Sequence, residues 1–153
     1  MTKLRVGVAG LGTVGSGLVK LLLSQKSVIE ERCGGPVLVT AVSAKDRARD
    51  RDFDIGKTVW HDDAVSLAKD ENVDVVCELI GGAEGIALKV CEAAIGSGKH
   101  VVTANKAMLA VHGTRLAKSA EKHGVEIHYE AAVAGGIPII KAMREGLSGN
   151  DVT

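Results

Sequence analysis

"VGVAGLGTVGSG", residues 6–17, decides the fold. Val6-Gly7-Val8-Ala9 is a short apolar run of strand type. Gly10-Leu11-Gly12-Thr13-Val14-Gly15 follows directly and matches G-x-G-x-x-G, and a helical pattern opens behind it. Alone the hexapeptide is a weak signal; between a strand and a helix it is a strong one for dinucleotide binding. Gly10 permits the tight turn, Gly12 lets the backbone approach a pyrophosphate, and Gly15 allows close packing of helix on strand. Thr13 and Val14 begin the helix, whose free N–H groups and positive dipole end suit the phosphates. The plainer reading is a glycine-rich turn without a ligand.

Outward from this loop, β-rich runs alternate with helical stretches along the chain. The runs are Leu4–Ala9, Val37–Ser43, Val73–Ile80, His100–Thr103 and Val125–Tyr129, with a weaker one near Thr58–Trp60. They are nearly continuous in apolar residues, as expected of strands covered on both faces. Helical patterns lie near 13–32, 62–71, 84–96, 106–123 and 137–147, with Gly34-Gly35-Pro36, Gly96-Ser97-Gly98 and Gly124 marking ends. This alternation predicts an α/β fold, a Rossmann-type doubly wound parallel sheet with helices on both faces. One dinucleotide-binding domain is expected over residues 1–147. Residues 148–153 turn at Ser148-Gly149-Asn150 and begin another extended run, which reads as the hinge to a further domain.

Bulk properties narrow the function. Nineteen basic and 19 acidic residues cancel, which argues against a nucleic-acid or membrane-surface footprint. An aromatic share of 2% leaves little for base stacking. Cys33, Cys77 and Cys91 are far apart, form no CxxC pair, and fit a reducing, cytoplasmic setting. Neither an export signal nor a membrane-spanning run is present in the 153 residues. His61, His100, His112, His123 and His128 show no metal-ligand spacing. Asp62-Asp63 reads as a helix start, and Met108, Leu109 and Leu116 as core.

The second strand carries the cofactor preference. It ends Ala41-Val42-Ser43-Ala44-Lys45-Asp46-Arg47, without the acid at its tip that would accept from a ribose 2′-OH. Ser43, Lys45 and Arg47 suit a 2′-phosphate, which favours NADP over NAD with dual use open. Most of "KDRARDRD" otherwise reads as a solvated mixed-charge loop.

Parallel sheets bind ligands outside the carboxyl ends of their strands. Val73–Ile80 finishes in Gly81-Gly82, where a cofactor can lie close to the backbone. His100–Thr103 finishes in Ala104-Asn105-Lys106. Asn105 suits an N-cap. Lys106 then falls in the first helical turn, beside the positive dipole end, a placement that favours proton exchange. The plainer reading of Lys106 is a surface lysine at a helix start.

"VGVAGLGTVGSG", "AVSAKDR", "CELIGG", "HVVTANKA" and "YEAAVAGGIPII", taken in order, closely resemble the cofactor-binding domain of homoserine dehydrogenases. The resemblance implies interconversion of L-homoserine and L-aspartate 4-semialdehyde with NAD(P), on the route to threonine and methionine. It implies that Lys106 is one of two lysines at the hydride-transfer centre, with Thr103 and Asn105 lining the nicotinamide end. It further implies a sodium ion held by Glu130 and by backbone carbonyls of Val133, Gly135 and Ile137; oxygen donors suit such a hard cation. Read from the residues alone, Glu130 is a hinge-side ion pair or a helix cap. The family continues into a substrate and dimerisation domain, and the whole protein is expected to be a homodimer or homotetramer. The present chain is expected to bind dinucleotide without turning over homoserine.

Two other readings are open. Glucose–fructose-oxidoreductase-like enzymes share a "GKHV" strand leading to a catalytic lysine, usually followed by proline; here Ala107 follows Lys106. A non-catalytic dinucleotide-sensing module would need no reactive lysine.

Overall fold

A computed structural model describes residues 3–149. Six strands form one parallel sheet: β1 (Leu4–Ala9), β2 (Val37–Ser43), β3 (Val59–Trp60), β4 (Val75–Glu78), β5 (His100–Thr103) and β6 (Ile127–His128). Their order across the sheet is β3-β2-β1-β4-β5-β6. The chain winds outward from β1 one way through β3, then returns beside β1 at β4 and winds the other way. A doubly wound sheet of this order has its crevice between β1 and β4, where the winding reverses.

Helices α1 (Thr13–Ser24) and α2 (Lys26–Cys33) follow β1. Later come α3 (Ala64–Lys69), α4 (Ile86–Gly96), α5 (Lys106–His123) and a single turn, α6 (Ile139–Lys141). Alternate strand residues feed two separate cores. Val6, Val8, Val42 and Cys77 pack with Leu11 and Val19 beneath α1. Ala9, Ala41, Val76 and Val101 pack with Leu67, Ile95, Met108 and Leu116 from α3, α4 and α5 on the opposite face. Each of these four large side chains is fully buried and contributes about 1.5–3 kcal/mol of transfer free energy. Gly7 shows how tight this face is. Its Cβ would lie 2.9 Å from Leu67 Cδ2, and the ladder with β2 shifts register beside it.

Local chemistry sets the helix ends. Asp63 accepts from the Val65 and Ser66 N–H groups at 3.1 and 2.9 Å and starts α3, so of the two acids it is the second that caps. Gly34 and Gly124, at φ 70° and 66°, stop α2 and α5 in the left-handed conformation that glycine adopts without strain.

Some expected boundaries change. The helix expected over 13–32 breaks at Gln25 (φ −104°, ψ 19°) into α1 and α2. Val73–Ile80 forms ladder only at Val75–Glu78, because the Glu78 side chain draws the following backbone into a turn. The run at 125–129 pairs only at Ile127–His128. The helix expected over 137–147 is α6 followed by a wider π-turn, Ala142–Gly146, started after Pro138. Ser148 and Gly149 lie in a turn, whereas the extended run expected at Asp151-Val152-Thr153 lies outside the described residues.

Candidate dinucleotide site at the carboxyl edge of the sheet

The three loop glycines have three different environments. Gly10 sits at φ 104°, and a Cβ there would lie 2.6 Å from the carbonyl oxygen of Leu79, just past the end of β4. A Cβ at Gly15 would lie 1.8 Å from the Gly10 carbonyl oxygen, so α1 starts hard against the loop. A Cβ at Gly12 would meet nothing within 4 Å. Packing explains Gly10 and Gly15; at Gly12 the space is open, and the residue is the N-cap of α1. Gly12 borders a cavity of about 460 Å³ above the β1–β4 crevice, lined also by Ser43, Lys45, Leu79 and Ile80. No side chain caps α1, so its first-turn N–H groups at Thr13 and Val14 have no side-chain partner.

At the β2 end of the cavity, Ser43 is buried and its carbonyl accepts the Gly10 N–H at 2.8 Å. Lys45 is exposed and lines the cavity. Arg47 does not line it: its guanidinium lies 5.6 Å from the Trp60 ring centre, where a cation–π contact holds it. Arg49 and Arg51 do line it, and Arg51 also lies 5.4 Å from the Trp60 ring centre. The sequence reading passed over both as part of a solvated loop. Their direction is set by Asp46, whose carboxylate accepts from the Ala48 and Arg49 N–H groups at 2.9 and 3.2 Å and turns the chain. Nothing in the spacing of three alternating arginines signals which would face the cavity.

Beyond the crevice, the tips of β4 and β5 are joined by a residue that the sequence reading did not single out. Glu78 is completely buried. Its Oε1 accepts from the N–H groups of Ile80 at 2.8 Å and Gly81 at 3.1 Å. Its Oε2 accepts from the Thr103 hydroxyl at 2.6 Å. The Thr103 oxygen in turn accepts the Asn105 N–H at 3.0 Å. Asn105 Nδ2 donates to the Gly82 carbonyl at 2.7 Å, and Asn105 Oδ1 caps α5 by accepting from Met108 N–H at 3.1 Å. Lys106, the first residue of α5, is exposed. Gly81 and Gly82 hold φ 86° and 88°, the second reason besides ligand approach for glycine there. The available signal for Glu78 was a lone acid at the end of the apolar run Val75-Val76-Cys77, directly before the glycine turn.

Neighbouring thiols offer no nucleophile. Burial pushes the Cys77 thiol up to about 12, and burial, then the Glu78 charge, pushes Cys91 up as well. Among the described residues no three His, Cys, Asp or Glu side chains converge to hold a metal. Glu130 opens a 3₁₀ turn (Glu130–Ala132), and its carboxylate accepts from the Ile140 N–H at 3.3 Å and from the Lys141 N–H. It therefore caps α6, the cap reading of the sequence. Val133 and Ile137 are exposed, the loop between them turns through Ala134 at φ 50° and Gly136 at φ 87°, and the Ile137 carbonyl accepts from Ile139 N–H at 2.7 Å.

The chain is similar in sequence and in fold to known proteins. Residues 10–130 match the family model described as homoserine dehydrogenase, NAD binding domain. The homoserine dehydrogenase of Bacillus subtilis is 42% identical over 153 residues, covering 100% of this chain and 35% of that protein. The Pseudomonas aeruginosa homoserine dehydrogenase is 45% identical over 155 residues, covering 99% of this chain and 34% of that protein. The crystal structure of a homoserine dehydrogenase from Thiobacillus denitrificans superposes with a TM-score of 0.88 at 40% identity, over 98% of this chain and 34% of that one. The chain thus spans about a third of the length of these relatives. A family model that matches residues 10–130 of 153, with relatives 42–45% identical along the chain, has one reading: the chain belongs to the homoserine dehydrogenase family, through its NAD-binding domain.

Proposed function

We propose that this chain is the cofactor-binding part of an enzyme that interconverts L-homoserine and L-aspartate 4-semialdehyde, using NADP in preference to NAD. The observation that carries the reading is Gly12, which no protein atom requires to be glycine and which faces the cavity at the sheet's crevice. The N–H groups at the start of α1 hold the pyrophosphate. Ser43 and Lys45 take the ribose 2′-phosphate, and the cavity lining favours Arg49 as their cationic partner, because Arg47 and Arg51 both lie on Trp60 and Arg51 also donates to the Arg49 and Asp46 carbonyls.

The dinucleotide supplies or accepts the hydride. This chain orients it by the pyrophosphate at one end and the Gly81-Gly82 turn at the other. Lys106 takes the hydroxyl proton as the alcohol is oxidised and returns it in the reverse direction, while Thr103 and Asn105 border the nicotinamide end. Glu130 with the carbonyls of Val133, Gly135 and Ile137 forms an all-oxygen set suited to sodium; Glu130 retains lone pairs for it while capping α6. The substrate-binding acids, the second lysine and the contacts of a homodimer or homotetramer belong to a further domain. Among the described residues no helix is long and apolar enough to cross a membrane, in keeping with a cytoplasmic biosynthetic enzyme.

Calorimetric titration with NADPH and, separately, NADH tests the reading. Tighter NADPH binding supports it, and binding of neither overturns it for this chain.

A further inference from the structure

We infer that Glu78 is a positioning residue, which sets the Gly81-Gly82 turn and the Lys106 helix start in one fixed relation. The inference rests on the dinucleotide reading above. The chain of bonds is continuous from strand to strand. One Glu78 oxygen fixes the backbone of Ile80 and Gly81, and the other fixes the Thr103 hydroxyl. Thr103 orients the Asn105 backbone, and Asn105 reaches back to the Gly82 carbonyl while capping the helix that begins with Lys106.

All three bonds at Glu78 are donated to it, which the ionised carboxylate accepts without an orphan. Among the described residues no cation lies within ion-pair distance of it. A fully buried carboxylate held only by backbone and hydroxyl donors is costly. Fold alone does not need it, since Val76 and Val101 on the same two strands bury apolar side chains without cost. The ladder pairs the strand tips at Glu78 and Thr103, and what the carboxylate adds is a tie from that pair to the turn backbone at Ile80 and Gly81, which lies beyond the last ladder pair. Positioning of that kind is what a site needs to hold a reactive ring and a proton-transferring amine in register.

Thr103→Val removes the hydroxyl at nearly constant shape. The variant and the wild-type chain are titrated with NADPH and NADH, and with ADP-ribose and its 2′-phosphate, which lack the nicotinamide. The pair containing the tighter dinucleotide is compared. The expected result is a loss of about tenfold for the dinucleotide, with its nicotinamide-free partner within about twofold. Thr103→Ser, which keeps the hydroxyl, restores dinucleotide binding to within about threefold of wild type.

Equal losses for both ligands, or no loss for either, would make the network a purely structural device and overturn the inference while leaving the dinucleotide reading intact. Failure of the wild-type chain to bind any of the four ligands overturns both. Because Thr103 itself borders the nicotinamide end whereas Glu78 is fully buried, Glu78→Gln decides, and it serves also if Thr103→Val does not fold. Its amide still offers one oxygen to Ile80 and Gly81 but presents a donor to Thr103, so the same selective loss is expected and a parallel loss overturns the inference.

Discussion

The two ends of the cavity are built in opposite ways. At the β1–β2 end the cavity is lined by the glycine loop that leads into α1 and by cations on a loop, the exposed Lys45 and Arg49 and the half-buried Arg51. At the β4–β5 end the polar groups are buried and bonded to one another: Glu78, Thr103 and Asn105 are each at most 6% exposed. Flexible cations suit a phosphate, whose charge is felt from several directions. A planar ring that must meet a substrate carbon at one angle needs fixed partners. The first end should tolerate change in small steps, and the second should fail abruptly.

The sharpest way to break that contrast lies in the loop between the ends. Gly10→Ala forces a side chain to φ 104° and against the Leu79 carbonyl, so it should cost about 3 kcal/mol and lower Tm by about 10 °C in thermal unfolding. Gly12→Ala should leave Tm within about 2 °C, because its Cβ meets no protein atom, yet weaken NADPH about 30-fold by calorimetry. If the two variants behaved alike, the assignment of Gly12 to the ligand would fail.

Next in size is Asn105→Ala. It removes the α5 cap and the bond to Gly82, and should destabilise the chain by about 1–2 kcal/mol in urea unfolding. Lys45→Ala at the opposite end should leave unfolding unchanged and weaken NADPH about tenfold while NADH changes less than about twofold. Arg47→Ala, its guanidinium held on Trp60, should shift either affinity by less than about twofold.

The smallest effect is remote from both ends. Asp74 immediately precedes β4, and its carboxyl is held below the ordinary aspartate value of 3.8 first by the Arg5 guanidinium, Nε to Oδ2 at 2.9 Å, against the opposing effect of burial. A lowered folded value adds stability that is present above the unfolded value and is lost as pH falls through the folded one. Tm should therefore decline below about pH 4. Asp74→Asn should flatten that decline and cost about 1 kcal/mol or less at neutral pH, given solvent screening of a pair about a third exposed.

Much of this was legible before any coordinates. Leu4–Ala9, Val37–Ser43 and His100–Thr103 are found with the expected bounds, because short, nearly continuous apolar runs of strand-forming residues favour a strand covered on both faces. Asn105 as a cap and Gly124 as a stop were equally local. Arg49 and Arg51 were not legible, since Asp46 directs them through a turn whose shape the alternation of arginines does not encode. Glu78 was missed for a different reason. A single acid in an apolar run reads as a strand end until its partner, Thr103, is brought alongside from 25 residues away.

Short-range patterns thus determined the parallel sheet, the glycine loop and the helix caps, while the family was legible in the resemblance of the motifs taken in order. Periodicity, glycine placement and capping act over a few residues, where the sequence is itself the geometry. Which cation faces the cavity, that Glu130 caps α6, and that a buried carboxylate ties two strand tips together were decided only by tertiary structure. Each depends on the distance between groups far apart in the chain, and a hydrogen bond exists only when the fold has closed that distance to about 3 Å.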